Sequence, residues 1–323
     1  MRSKLTKAAA WIITLGLLGW LFWRTPFADV WAATRHAAPW TLPAAVLLFG
    51  CVYLGDSFAM WKTFSWFLAP FSFAQILLVR GTTYLLAAIN YNVGQGAIVF
   101  FVNRATGVPV LRGVATILLI MGINVLALLF LTSGGLLIAP NPPHALFVII
   151  GVAYAGLAVY IAAMVARPRW LATRPIFDVL LAAGPRGHLR ALLVRLPHIA
   201  ALVAFQTATL HAFGVAVPVV QALVCLPVVF FVAVLPISVQ GLGTTQAAMV
   251  FFFARYAPGD RAAQEAAVLA ASLFNQVISL ACQVLIGLAC LRSRAGRELR
   301  TASRASTDAA GSAGAFDASA AQR

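Results

Sequence analysis

The chain has 323 residues, of which 62% are hydrophobic and 10% charged, and its mean hydropathy is +0.92. Soluble domains run at about 45–50% apolar and about 25% charged residues, so this composition excludes an ordinary water-soluble fold. A net charge of +15 would suggest nucleic acid in a soluble protein, but here the Lys and Arg residues sit beside apolar runs and in short loops. That distribution sets membrane topology and attracts anionic lipid head groups, and no folded basic domain is left to bind nucleic acid.

A run of about 20 apolar residues spans a hydrocarbon core of about 30 Å. The first run, residues 8–23, follows Arg2, Lys4 and Lys7 like the start of a signal peptide. Arg24-Thr25-Pro26-Phe27 comes directly after it instead of a small-residue cleavage site, so it is read as an uncleaved first helix. Residues 24–40, with Trp31, Arg35 and Trp40, read as an interfacial stretch with anchoring aromatics. Further crossings are expected at 41–61, 113–133, 145–166, 194–214 and 263–291, making six in all. Two more apolar regions, 73–103 and 218–256, are interrupted by glycine and uncharged polar groups. Residues 1–292 therefore form one membrane domain, and the Ala-, Ser- and Gly-rich residues 293–323 an expected disordered tail. Cys51, Cys225, Cys282 and Cys290 lie in apolar segments without C-x-x-C spacing and read as small buried side chains, not a metal site.

Charge then orients the chain. Arg2, Lys4 and Lys7 place the N-terminus in the cytoplasm, as Arg292, Arg294, Arg297, Arg300 and Arg304 do the tail. The loop 133–144 carries no Lys or Arg and is expected outside, whereas 167–190, with five arginines, is expected inside. Parity decides 73–103: one crossing there would put Arg104, Arg112 and the five-arginine loop outside. A re-entrant hairpin turning at Asn90–Gly96 keeps them inside. Region 218–256 enters from the opposite face and breaks at Pro236–Gly243, and its returning arm from Thr244 to Ala254 is about 16 Å of helix, half a span. Residues 41–133 and 194–291 thus read as an inverted repeat, a plan that places a transporter's substrate where the two broken segments meet.

The breaks carry the candidate binding groups. Asn90, Asn92 and Gln95 offer amides at the first, with Gly94 and Gly96 permitting close backbone approach. Ser238, Gln240, Thr244, Thr245 and Gln246 surround Gly241 and Gly243 at the second. Helices starting after each break would aim N–H groups and a positive dipole end at a phosphate or carboxylate. Asp56 and Arg80 fall at similar depth on successive elements and are expected to form an intramembrane ion pair. Arg195 is expected near a helix end, snorkelling to the interface. Asn124, His198, Gln206, His211, Asn275, Gln276 and Gln283 read as interhelical hydrogen-bonding groups. Only eight acidic residues exist and neither break holds one, so no catalytic residue, metal or cofactor is expected.

With both breaks in view, the chain resembles the lysylphosphatidylglycerol synthase transmembrane-region family, the flippase-like membrane proteins. Gly94-Gln95-Gly96-Ala97 followed by Asn103-Arg104-Ala105-Thr106-Gly107-Val108 matches its first motif. Leu235-Pro236-Ile237-Ser238-Val239-Gln240-Gly241-Leu242-Gly243-Thr244-Thr245-Gln246 matches its second, and the likeness covers roughly residues 5–292. The family's acidic position and arginine after the first break correspond to Ala97 and Phe100, and its Arg-Glu after the second to Thr245-Gln246. Neutral amides and hydroxyls thus replace charged groups, which leaves substrate identity open. Only a short tail follows Leu291, so the aminoacyl-transferase domain of bifunctional relatives, and lipid aminoacylation with it, is not expected. The resemblance implies a bacterial inner-membrane protein, with both termini cytoplasmic, that binds an anionic or polyprenyl-linked amphiphile and moves it between leaflets. The alternatives are an integral-membrane enzyme acting on a lipid phosphate and a non-catalytic partner of a lipid-modifying enzyme.

Overall fold

A computed structural model of the chain describes residues 27–35, 37–138, 144–234 and 241–293, with isolated positions before residue 24. Among the described residues the regular structure is helical, without strands. In chain order the helices are α1 (Phe27–Arg35), α2 (Thr41–Phe67), α3 (Phe73–Ile89), α4 (Tyr91–Thr106), α5 (Val110–Ile138), α6 (His144–Ala166), α7 (Asp178–Ala212), α8 (Val219–Val234), α9 (Thr244–Phe253) and α10 (Arg261–Arg292).

Four stretches are long and apolar enough to cross a membrane: Thr41–Phe67, Val110–Ile138, Pro175–Ala212 and Arg261–Arg292. They contain four of the six expected crossings. The fifth, 145–166, lies in α6, whose apolar part is the shorter Ile150–Ala166. The expected first helix and the tail lie outside the described residues. The element order repeats: a long helix, two shorter packed helices and another long helix occur as α2, α3–α4, α5 and again as α7, α8–α9, α10.

The expected cytoplasmic loop at 167–190 is corrected. Helix already begins at Asp178, is interrupted at Gly184 (φ 57°, ψ −178°), and runs again from Pro185 to Ala212, so most of 178–190 is helical and not loop. Gly-Pro reads as a chain break in sequence, but proline lacks an N–H and can be accommodated at a kink where glycine supplies the positive φ.

The chain divides into two compact units. The first comprises residues 1–59, 121–166 and 185–282. Its core gathers Leu210, Leu226, Met249, Phe253, Val268 and Leu269, each completely buried, from α7 to α10. Helix α1 contributes Val30 to this core and leaves Trp31 half exposed under Arg35, whose guanidinium lies 5.2 Å from the indole centre. Small residues set the close contacts: a Cβ on Gly135 would lie 2.6 Å from Val224 Cγ2, and one on Gly55 would lie 3.0 Å from His198 Cα.

The second unit comprises residues 60–120, 167–184 and 283–323. Here the turn between α2 and α3 is braced: Trp61 Nε1 donates to the Phe71 carbonyl at 2.7 Å, and the Phe64 and Phe71 rings stand 6.0 Å apart. Ser72 and Gln75 then form a reciprocal capping box at the start of α3, which satisfies two helix-end donors.

Candidate functional site

The first break is narrower than expected. The turn is a single extended residue, Asn90 (φ −156°, ψ 124°), and Asn92, Gly94, Gln95 and Gly96 belong to the first turns of α4. The arms are consequently 17 and 16 residues, about 25 and 24 Å, so the returning arm is about twice the 12 Å expected for a helix running only from Gly96 to Asn103. Asn90 caps both helices: its backbone N–H donates to the Leu86 carbonyl at 2.9 Å, and its Oδ1 accepts from Asn92 and Val93 N–H at 2.9 and 3.2 Å. Gly94 is buried against α3, where a Cβ would fall 2.6 Å from Ala87 Cβ, whereas Gly96 faces open space. Asn90 and Gly94 therefore build the helix pair itself. Gln95 is buried and Asn92 exposed.

The second break leads into α9, in the first unit. Ser238 and Gln240 lie outside the described residues. From Gly241 onward the geometry is defined: Gly241 (φ 72°) and Gly243 (φ 83°) take left-handed conformations that glycine adopts without strain. Thr244 Oγ1 donates to the Gly241 carbonyl at 3.0 Å. Gln246 folds back so that its Oε1 accepts from Gly243 N–H at 2.7 Å. Gln246 is fully buried, and its Nε2 has no hydrogen-bond acceptor among the described residues; nor has the buried Thr245 hydroxyl a partner. A buried amide donor left unsatisfied costs about 1–3 kcal/mol, which a ligand acceptor would recover. Seven residues of α9 separate Gln246 from Phe253, a rise of about 10 Å.

Behind Gln246 lies an uncharged polar network. Gln206 on α7 donates to Met249 Sδ at 3.5 Å, one turn along α9, and accepts from Asn275 Nδ2 on α10. Asn275 Oδ1 in turn accepts from Thr209 Oγ1 at 2.9 Å. These are the interhelical bonds expected of Gln206 and Asn275.

A charged cluster occupies another level of the same unit. Arg195 Nη1 meets Asp56 Oδ1 at 2.5 Å, and Arg195 Nε donates to Asn124 Oδ1 at 2.7 Å, joining α7, α2 and α5. Both charged side chains are buried, at 6% and 2% exposure. One turn on, His198 ring nitrogen Nδ1 bonds the Val52 carbonyl at 3.1 Å. The expectation that Arg195 snorkels is thus overturned: the segment of α7 that carries it starts at Pro185, ten residues earlier, and its guanidinium is buried against Asp56. Arg80, the partner expected for Asp56, lies with its guanidinium 4.9 Å from the Tyr84 ring centre. Sequence reading missed Arg195 as a partner of Asp56 because it started the helix at residue 194 and so put Arg195 at its end.

Chemically, the start of α9 offers hydrogen-bond donors, the Thr244 and Thr245 hydroxyls and a helix N-terminus, and no carboxylate among the described residues. It suits recognition of an acceptor-rich polar group. Among the described residues no cluster of His, Cys, Asp or Glu could hold a metal ion. A scan against protein-family models finds no match for the chain, and a search of the curated proteins finds none either.

Proposed function

We propose that the protein is a multi-pass membrane protein that binds a polar lipid or polyprenyl-linked amphiphile and moves it between leaflets. The head group is held at the start of α9 by Gly243, Thr244, Thr245 and Gln246, while the apolar tails stay in the bilayer. The likeness to flippase-like proteins supports this reading, as does the repeated order of long and broken helices. The observation that carries it is the Gln246 amide, fully buried with a donor left for a ligand. The bacterial inner membrane is the proposed location.

The test is transport by the full chain in proteoliposomes, read as dithionite protection of a fluorescent anionic phospholipid. Gln246→Leu removes the donor and should slow translocation about tenfold, the equivalent of one hydrogen bond to a charged acceptor. Gly135→Ala serves as a control destabilised by its contact with Val224, and should transport normally. Equal rates for wild type and Gln246→Leu would remove α9 from the mechanism.

A further inference from the structure

A groove of about 580 Å³ runs along α7, walled also by Leu131 on α5 and by Val219 and Leu223 on α8. On α7 it is floored by Ala200, Ala204 and Ala208, one residue every four, so that methyl groups where larger side chains could stand leave a trough. Its rim is open, with Leu196 42% and Val219 64% exposed. The helix belongs to a stretch apolar enough to cross a membrane, so the medium facing the groove is hydrocarbon.

The polar groups gather at one end. Thr207 and His211 line the groove one turn apart, and His211 also borders a second cavity of about 260 Å³ formed by Gly214–Pro218. His211 Nε2 lies 2.8 Å from the Val217 carbonyl and must be the donor there, because a carbonyl only accepts. Its other ring nitrogen, Nδ1, is the one left for a ligand. Thr207 is unlike Thr34, Thr106 and Thr116, which return their hydroxyls to the carbonyl four residues back at 2.8, 2.8 and 2.9 Å. Its buried Oγ1 has no partner among the described residues.

We infer that this groove is a seat for one glycerophospholipid, its acyl chain lying along Leu196–Ala208, its ester carbonyl on Thr207 and its phosphate on His211. The order of groups in such a lipid, apolar chain, then carbonyl, then phosphate, is the order of the groove. The four residues between Thr207 and His211 rise about 6 Å, close to the offset between those two lipid groups. A cavity of this size falls within the usual range for small-molecule sites, about 300–1,000 Å³. The seat stands apart from the start of α9 and holds whether or not that break binds a head group.

Photo-crosslinking decides it. The full chain, purified in phosphate-free dodecylmaltoside micelles, is irradiated with phosphatidylglycerol carrying a diazirine at the end of one acyl chain, or with diacylglycerol carrying the same chain. Phosphatidylglycerol should label residues 196–204 about tenfold more than diacylglycerol, the ratio one charge-assisted hydrogen bond gives. His211→Gln/Thr207→Val, which keeps a donor toward Val217 and the shape of Thr207, should fall to the diacylglycerol level. Ala204→Phe should block labelling by both while leaving thermal unfolding unchanged. Equal labelling of the wild type by the two probes would overturn the seat, as would undiminished labelling of the double variant. Should a variant fail to fold, the wild-type comparison of the two probes decides alone.

Discussion

Removing one partner of the Arg195–Asp56 pair should be among the costliest single changes in this protein. At an effective dielectric of about 20, two unit charges about 3 Å apart attract by on the order of 5 kcal/mol. Much of that is offset by taking both groups out of water, which is why an intact buried pair contributes little net stability. Breaking it is different, because the remaining charge keeps its desolvation cost: truncating one member costs about 3–5 kcal/mol. The pair fits that regime, with an N···O distance of 2.5 Å and side-chain exposures of 6% and 2%. Arg195→Gln and Asp56→Asn should each lower stability by about 3–5 kcal/mol, and the double variant by no more than either alone. The assay is unfolding in mixed dodecylmaltoside–SDS micelles, analysed as a double-mutant cycle. Additive effects, with a coupling below about 0.5 kcal/mol, would show that the two charges do not depend on each other, and the reasoning would fail.

Two further outcomes follow from the first break. Gly94→Ala places a methyl 2.6 Å from Ala87 Cβ and 2.8 Å from its Cα, so overpacking should cost about 1–3 kcal/mol in the same unfolding assay. Gly96→Ala, with nothing within 4 Å, should instead be neutral or stabilising by up to about 1 kcal/mol through its helix propensity. If α3 and α4 are a re-entrant hairpin, Lys62→Cys and Arg104→Cys should react with an impermeant maleimide from the same side of the membrane. Labelling from opposite sides would make the region a single crossing and end the inverted-repeat proposal.

The long helices were legible because hydrophobicity sustained over 20 residues is a strong signal. Each of the four membrane-length stretches overlaps an expected crossing, although Pro175–Ala212 starts well before the expected 194. Break positions were legible only as regions. Gly94 and Gly96 look alike in sequence, yet one is a packing contact and the other an open helical position, and only the partner helix distinguishes them. Gln246 was singled out for its amide, but its fold-back onto Gly243 N–H depends on two left-handed glycines, a backbone geometry that residue types permit without dictating. Arg195 shows the opposite failure. Five arginines made 167–190 read as a loop, so a charge well inside α7 was assigned to its end. The Thr207 and His211 groove could not be foreseen, since a void depends on what three helices leave unfilled.

Asn90 leaves the α3–α4 connection no slack. One residue reverses the chain, closes the last turn of α3 and opens the first turn of α4, so no linker remains to absorb a length change. Each residue of an α-helix advances the azimuth by about 100°, and one residue more or fewer at this point would swing Gly94 from the inner face of the pair to its flank. The two arms are thereby locked in rotational phase, like gears sharing a tooth. Drift in chain length among related sequences should be purged here while longer connections vary freely.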